Sequence, residues 1–393
     1  MKKLISFLVI LSAASILKMS GQTGSDTSFY LITCGPGLET YSHYGHSALR
    51  VTIDSKGSDV VYNWGVFDFS TPNFGYRFAK GKLDYLLDAE PSNRFIRTYM
   101  QEERWVVFQK INLSGPEKKE MLELININLR PENIKYRYDF FYDDCSTRIR
   151  DLLEKVLGSK LVYTPAPDKF KPTFRYLVGT YQEEYPWLDF GIDLLMGTPA
   201  DRKATDREKM FLPLELKKSF TGALVNRNGK MAPLLQNQQI VLDFPNPSVK
   251  NSFFLSPFFI FTLLCIGVII FSAAVKGGKA ARLIDIVLYS VFSLLAIMLL
   301  FTNFISAHHQ MKYNLSLLWL SPFLPVCLYA VIGKKEWFGW FRTVFILSLV
   351  AFAIQITFPV IGNNSFIPLI LIIITRSSVR AGYSWNPLSL KSF

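Results

Sequence analysis

The chain changes character near residue 250. Before that point apolar positions alternate or recur at helical spacing. After it they run together in long blocks. Residues 28–34 read as a short apolar strand, broken by Gly35-Pro36-Gly37. Over 46–53, Leu49, Val51 and Ile53 fall on one face, and His46, Ala48, Arg50 and Thr52 on the other. That period of two predicts a second strand. Residues 59–66 give a third, reached through a turn at 54–58 that contains Gly57. A fourth is expected over 104–113. Ser114, Pro116 and Glu117 then open a helix to about residue 129. The aromatic stretch 136–142 reads as extended. Asp144 caps a helix over 145–157, and Gly158 stops it. Strands followed by helix, strand and helix predict an α+β domain over 22–160. Residues 161–250, with Pro165, Pro167 and Pro172 breaking the chain, read as an extension that packs on the following part. Within it 187–196 is apolar and 212–225 looks helical, with Pro213 in its first turn.

Residues 251–376 are of another kind. Apolar spans cover about 253–275, 283–305, 315–332, 341–360 and 365–375. A crossing takes ~20 residues, so about five transmembrane helices are expected, the third and fifth short. Counted from an external Lys250, alternate loops hold Lys276, Lys279 and Arg282, then Lys334 and Lys335. The tail at 377–393 follows Arg376 and holds Arg380. The other loops carry one lysine between them. This charge bias puts the C-terminus in the cytoplasm and the N-terminal domain outside. Met1-Lys2-Lys3 followed by an apolar run makes 1–21 a signal peptide or uncleaved anchor. Helical spans, not a barrel, point to an inner (plasma) membrane. His308 and His309 then lie in an external loop, as candidate substrate contacts at the membrane face.

The net charge of +12 over 393 residues would suit a nucleic-acid partner. The basic residues are spread out or sit at membrane loops, without a basic and aromatic stripe, so none is expected. There is no metal-ligand spacing, no phosphate-cradling Gly loop and no Gly-x-Ser-x-Gly elbow, so no metal or cofactor is expected. Of four cysteines, Cys265 and Cys327 lie in apolar spans. Cys34 and Cys145 lie in the domain, where they either form a disulfide or leave one working thiol.

Cys145 opens a helix, whose N-terminal dipole favours a thiolate; Asp143 and Asp144 push the other way. A Cys nucleophile needs a base, and the domain holds only His43 and His46. His46, at a strand start after Gly45, is the better placed. Asn63 on the neighbouring strand could orient its ring, with Tyr62 as the competitor. The backbone N–H of Cys145 or Ser146 is the expected oxyanion donor.

Leu31-Ile-Thr-Cys-Gly-Pro-Gly37, Tyr41-Ser-His-Tyr-Gly-His-Ser-Ala-Leu-Arg50, Tyr62-Asn-Trp-Gly-Val-Phe-Asp-Phe69 and Asp144-Cys-Ser-Thr-Arg-Ile-Arg-Asp151 resemble a family of bacterial envelope proteins that includes the Lnb-type lipoprotein N-acyltransferases. Asp189-Phe-Gly-Ile-Asp193, Gly197-Thr-Pro-Ala-Asp-Arg202 and Asn314-Leu-Ser-Leu-Leu-Trp-Leu320 extend the likeness into the membrane part. The resemblance implies a circularly permuted papain-like domain, similar to NlpC/P60 and lecithin:retinol acyltransferase enzymes, in which the His precedes the Cys. It implies acyl transfer through a Cys145 thioester, from a phospholipid donor to the α-amine of a diacylated lipoprotein. Two other readings stand beside it. One is a periplasmic Cys-His peptidoglycan peptidase. The other is a non-catalytic membrane scaffold with a Cys34–Cys145 disulfide.

Overall fold

The computed structural model describes residues 26–164, 170–249, 251–275, 277–358 and 362–383. The expected signal segment at 1–21, Lys250, Lys276 and the end of the tail lie outside the described residues. The chain divides into two compact units. The first draws on residues up to 74, 83–164 and 205–247; the second on 75–82, 170–204 and the chain from 248 on.

The first unit is built on β1 (Thr27–Cys34), β2 (His46–Ile53), β3 (Ser58–Val66), β4 (Asp84–Pro91), β5 (Val106–Ile111) and β6 (Lys135–Arg137). Strands β7 (Leu161–Val162), β8 (Leu224–Arg227) and β9 (Lys230–Pro233) make a small separate sheet, and β10 (Leu235–Leu242) returns to the large one. The large sheet is antiparallel, in the order β10-β5-β1-β2-β3-β4-β6. Helices up to residue 222 are, in chain order, α1 (Phe74–Ala79), α2 (Ser92–Gln101), α3 (Gly115–Asn128), α4 (Cys145–Leu157), α5 (Phe174–Gly179), α6 (Pro186–Leu195) and α7 (Pro213–Gly222).

Alternation along the strands assigns two faces. Phe29, Leu31, Leu49, Val51, Tyr62 and Trp64 pack on Met121 and Ile125 of α3, Ile149 and Leu153 of α4, and Leu216 and Phe220 of α7. Ile32, Cys34, Ala48 and Val61 point the other way, onto Phe95 and Tyr99 of α2. Each such side chain, fully buried, contributes roughly 1.5–3 kcal/mol. The sheet is therefore covered on both sides, with α4 lying across β2 and β3.

Helix α4 starts where Asp144 predicts. Its carboxylate accepts from the N–H groups of Ser146 at 2.9 Å and Thr147 at 2.8 Å, and Thr147 Oγ1 accepts from Asp144 N at 2.7 Å. Gly158, at φ +50°, ends it. Two expectations are corrected. The stretch 136–142 is strand only at Lys135–Arg137. It then turns, because Asp139 Oδ1 takes the N–H groups of Phe141 and Tyr142 at 2.9 and 3.0 Å. Residues 161–250 are not one extension either. Residues 205–247 belong to the first unit, where β10 pairs with β5 along its length.

The second unit contains α8 (Pro257–Ala274), α9 (Gly278–Leu300), α10 (Leu324–Ile332), α11 (Phe338–Thr357) and α12 (Phe366–Arg380). Helices α8, α9 with its continuation to Ile305, and α11 are long and apolar enough to cross a membrane. The other two, at nine and 15 residues, are short, as their apolar runs suggest. Helix α12 does not stop before Arg376. That guanidinium is buried within the unit, with Nε donating to Asp285 Oδ1 at 2.6 Å and Nη1 to Ser272 Oγ at 2.7 Å; Arg380 takes Asp285 Oδ2 at 2.5 Å. Arg175 on α5 ties α6 to the next turn through Asp193 at 3.0 Å and Asp201 at 2.6 Å. Gly197 sits so close to Lys312 that a Cβ would fall 1.8 Å from its carbonyl oxygen. Asn314 Nδ2 reaches the Leu194 carbonyl at 2.8 Å.

Candidate active site

His46 is the first residue of β2, directly after Gly45 at φ +77°. A Cβ at Gly45 would lie 2.8 Å from the Cys34 carbonyl oxygen, so only glycine lets the chain enter the strand there. Asn63 lies on β3, two residues after Val61 and so on the same face. Its Oδ1 accepts from His46 Nε2–H at 2.5 Å, which leaves Nδ1 as the lone-pair nitrogen. Tyr62 points into the opposite layer, among Leu49 and Ile149, and is out of the running as the orienting residue.

Cys145 approaches the same end of β2 from α4. The Ser47 backbone N–H donates toward its sulfur, and Ser47 Oγ stands 3.0 Å from Ser146 Oγ. The start of the His46 strand and the start of the Cys145 helix are thus joined through Ser47. Among the described residues, His46 and Cys145 share no hydrogen bond, and strand alternation puts the imidazole on the Cys34 and Val61 face while the thiol lies with Ile149 on the other. Burial pushes the Cys145 thiol up, against the N–H groups that would favour a thiolate. Burial is also the largest influence on His46, with the Arg104 charge adding to it and Asn63 opposing. Its pKa falls to about 4. The pair therefore rests as neutral thiol and neutral imidazole.

Cys34 is not bonded to Cys145. Both are free thiols, and they sit on opposite faces of the sheet, Cys34 with Phe95 and Tyr99, Cys145 with Ile149. The disulfide scaffold is thereby corrected. The Ser146 N–H, the expected oxyanion donor, is shared: it donates to Asp144 Oδ1 at 2.9 Å and also lies toward the Cys145 sulfur. His308 is buried in the second unit, where its Nε2 donates to the Phe78 carbonyl at 2.8 Å. Ala307 N and Ser306 Oγ hold Lys80 and Ala79 beside it. His309 follows at the start of a short 3-10 turn.

Sequence reading missed the aromatic wall beside the thiol. Tyr136 packs on the cluster that contains Cys145, and its ring centre lies 6.4 Å from that of Tyr138. Tyr138 stacks on Tyr85 at 4.5 Å between ring centres. Tyr85 meets Phe67 at 5.3 Å, and Phe67 meets Phe69 at 5.0 Å and Tyr41 at 5.9 Å. Phe69 and Tyr41 are exposed, so the ladder runs from the buried thiol to the surface of the unit. The one sequence signal for it was Gly65. This residue stands at φ +93° in a β-bulge opposite Leu86 and Leu87, and a Cβ there would press the Tyr138 ring at 3.2 Å. Among the described residues no group of three His, Cys, Asp or Glu could hold a metal ion.

A family model of the Lnb N-terminal periplasmic domain matches residues 22–178, and one of the Lnb transmembrane domain matches residues 249–384. The chain belongs to the Lnb family. No curated protein and no solved structure matches it. Membership makes this a membrane protein of lipoprotein processing, with a periplasmic N-terminal domain and a transmembrane C-terminal one, as in an inner membrane. The mixed α/β domain, with the His strand ahead of the Cys helix, fits the permuted papain-like fold expected of Lnb chains.

Proposed function

We propose that the protein is a membrane-bound thiol acyltransferase, which moves an acyl chain from a phospholipid to the N-terminal amine of diacylated lipoproteins. In this reading the His46 ring reaches the thiol around the first residue of β2, and its Nδ1 takes the proton of Cys145 as the sulfur attacks the donor ester carbonyl. The tetrahedral intermediate collapses, the lysophospholipid oxygen leaves with the proton from His46, and an acyl-thioester remains on Cys145. The lipoprotein α-amine then attacks that thioester. An amide forms, the C–S bond breaks, and the thiol is restored. Asn63 holds the imidazole tautomer throughout. The reading has the C-terminus in the cytoplasm, on the loop charges.

The observation that carries this reading is that the His46–Asn63 pair and Cys145 meet the same end of β2, on either side of Ser47, in a chain whose soluble and membrane parts both match Lnb domains. An aromatic ladder at the thiol supports an apolar substrate over a peptidoglycan stem. The test is to incubate the full-length protein with phospholipid vesicles and map adducts by mass spectrometry. Acyl on Cys145 with matching lysophospholipid is expected, and neither with Cys145→Ser. Cleaved muropeptides without any acyl adduct would instead establish the peptidase.

A further inference from the structure

A tetrahedral oxyanion at Cys145 needs hydrogen-bond donors, and the local backbone offers few. The Ser146 N–H is bound to Asp144 Oδ1 at 2.9 Å, and the Thr147 N–H to the same atom at 2.8 Å. The Cys145 N–H from the helix start and the Ser47 N–H remain, both directed at the sulfur. Packed on the same buried cluster as Cys145 is a tyrosine hydroxyl without a partner. Tyr136 Oη is buried, and among the described residues it has no hydrogen-bond partner. A buried hydroxyl left unpaired costs about 1–3 kcal/mol, so it calls for a reason.

We propose that Tyr136 is the side-chain oxyanion donor at Cys145, a role that rests on the acyl-transfer reading. Three features converge on it. Tyr136 packs against the buried cluster that contains Cys145, Ile149 and Trp64. Gly65 borders the hydroxyl, with a hypothetical Cβ at 3.9 Å from Oη, so the glycine keeps that side free of a side chain. The Arg148 guanidinium lies 3.8 Å over the Tyr136 ring and is itself fixed by Asp143, with Nη2 to Oδ2 at 2.7 Å. A cation on the ring face makes the phenol a better donor to an oxyanion. Strand β6, in register with β4 at Tyr85, holds the ring in place.

The test compares Tyr136→Phe with the wild-type chain at full length, in two reactions of the same thiol. Acylation by a p-nitrophenyl ester passes through an oxyanion; alkylation by iodoacetamide does not. Acylation of Cys145 is expected to fall about 10²–10³-fold, the usual loss for one oxyanion donor. Alkylation should stay within about threefold, and the melting temperature should hold or rise because an unpaired hydroxyl is gone. Undiminished acylation would overturn the assignment, as would an equal loss in both reactions. If the wild-type thiol accepts no acyl group from any ester, the acyl-transfer reading itself fails, and the role of Tyr136 with it.

Discussion

His46 gives its Nε2–H to Asn63 Oδ1 at 2.5 Å, so the imidazole faces its strand neighbour through one nitrogen and keeps the other as a base. Neither backbone strain nor an ion pair holds this geometry; it follows from Asn63 and His46 sharing a sheet face. Asn63→Ala should therefore lower kcat for acyl transfer by about ten- to a hundredfold, with KM little changed, as expected when a base loses its orientation. Steady-state kinetics on both parameters checks it. A rise in KM alone would mean that Asn63 binds substrate.

The charges at the site set its pH behaviour. Burial holds the Cys145 thiol above its ordinary 9.0 and His46 down at about 4. The alkylation rate of Cys145 should climb with pH through and beyond 9, without an inflection near 6.5. A plateau between pH 5 and 7 would reveal a standing thiolate–imidazolium pair and contradict this account.

Stability follows from the same histidine. Folded His46 stays neutral down to about pH 4, while an unfolded imidazole takes up its proton near 6.5. In that window the unfolded chain binds more protons, so the domain should lose stability as pH falls from about 6.5 to 4. His46→Gln should flatten that slope in thermal melts. An unchanged slope would put the titration elsewhere.

Gly65→Ala should destabilise the domain by about 1–3 kcal/mol, because φ +93° is strained for alanine and the Tyr138 ring must shift. Chemical denaturation measures it.

Much of this was legible in the sequence. The alternation at 46–53 assigned Leu49 and Val51 to one face and His46 to the other, and Asp144 and Gly158 bounded α4. Local chemistry dictates such features. What stayed hidden depends on distant partners. Strand β10 has a polar, mostly exposed sequence and becomes a strand only by pairing with β5. Arg376 looked like a tail charge until Asp285, 91 positions away, buried it. Ser146 looked like a free donor, but its neighbour Asp144 shares its N–H. Tyr136 gave no signal, since one tyrosine in an aromatic run cannot announce that its hydroxyl is unpaired.

In the membrane unit, Asp285→Asn leaves Arg376, 2% exposed, without its counter-charge. A loss of about 3–5 kcal/mol is expected. Thermal unfolding in detergent should show it, and Arg376→Met together with Asp285→Leu should recover most of the loss.

The central claim is that Cys145 transfers acyl groups to lipoproteins. Its most direct test is mass spectrometry of lipoprotein N-termini from cells whose only N-acyltransferase is this protein with Cys145→Ala. The account predicts diacylated lipoproteins with a free α-amine, against N-acylated ones in the wild-type cells. N-acylation that persists unchanged in the Cys145→Ala cells would contradict it.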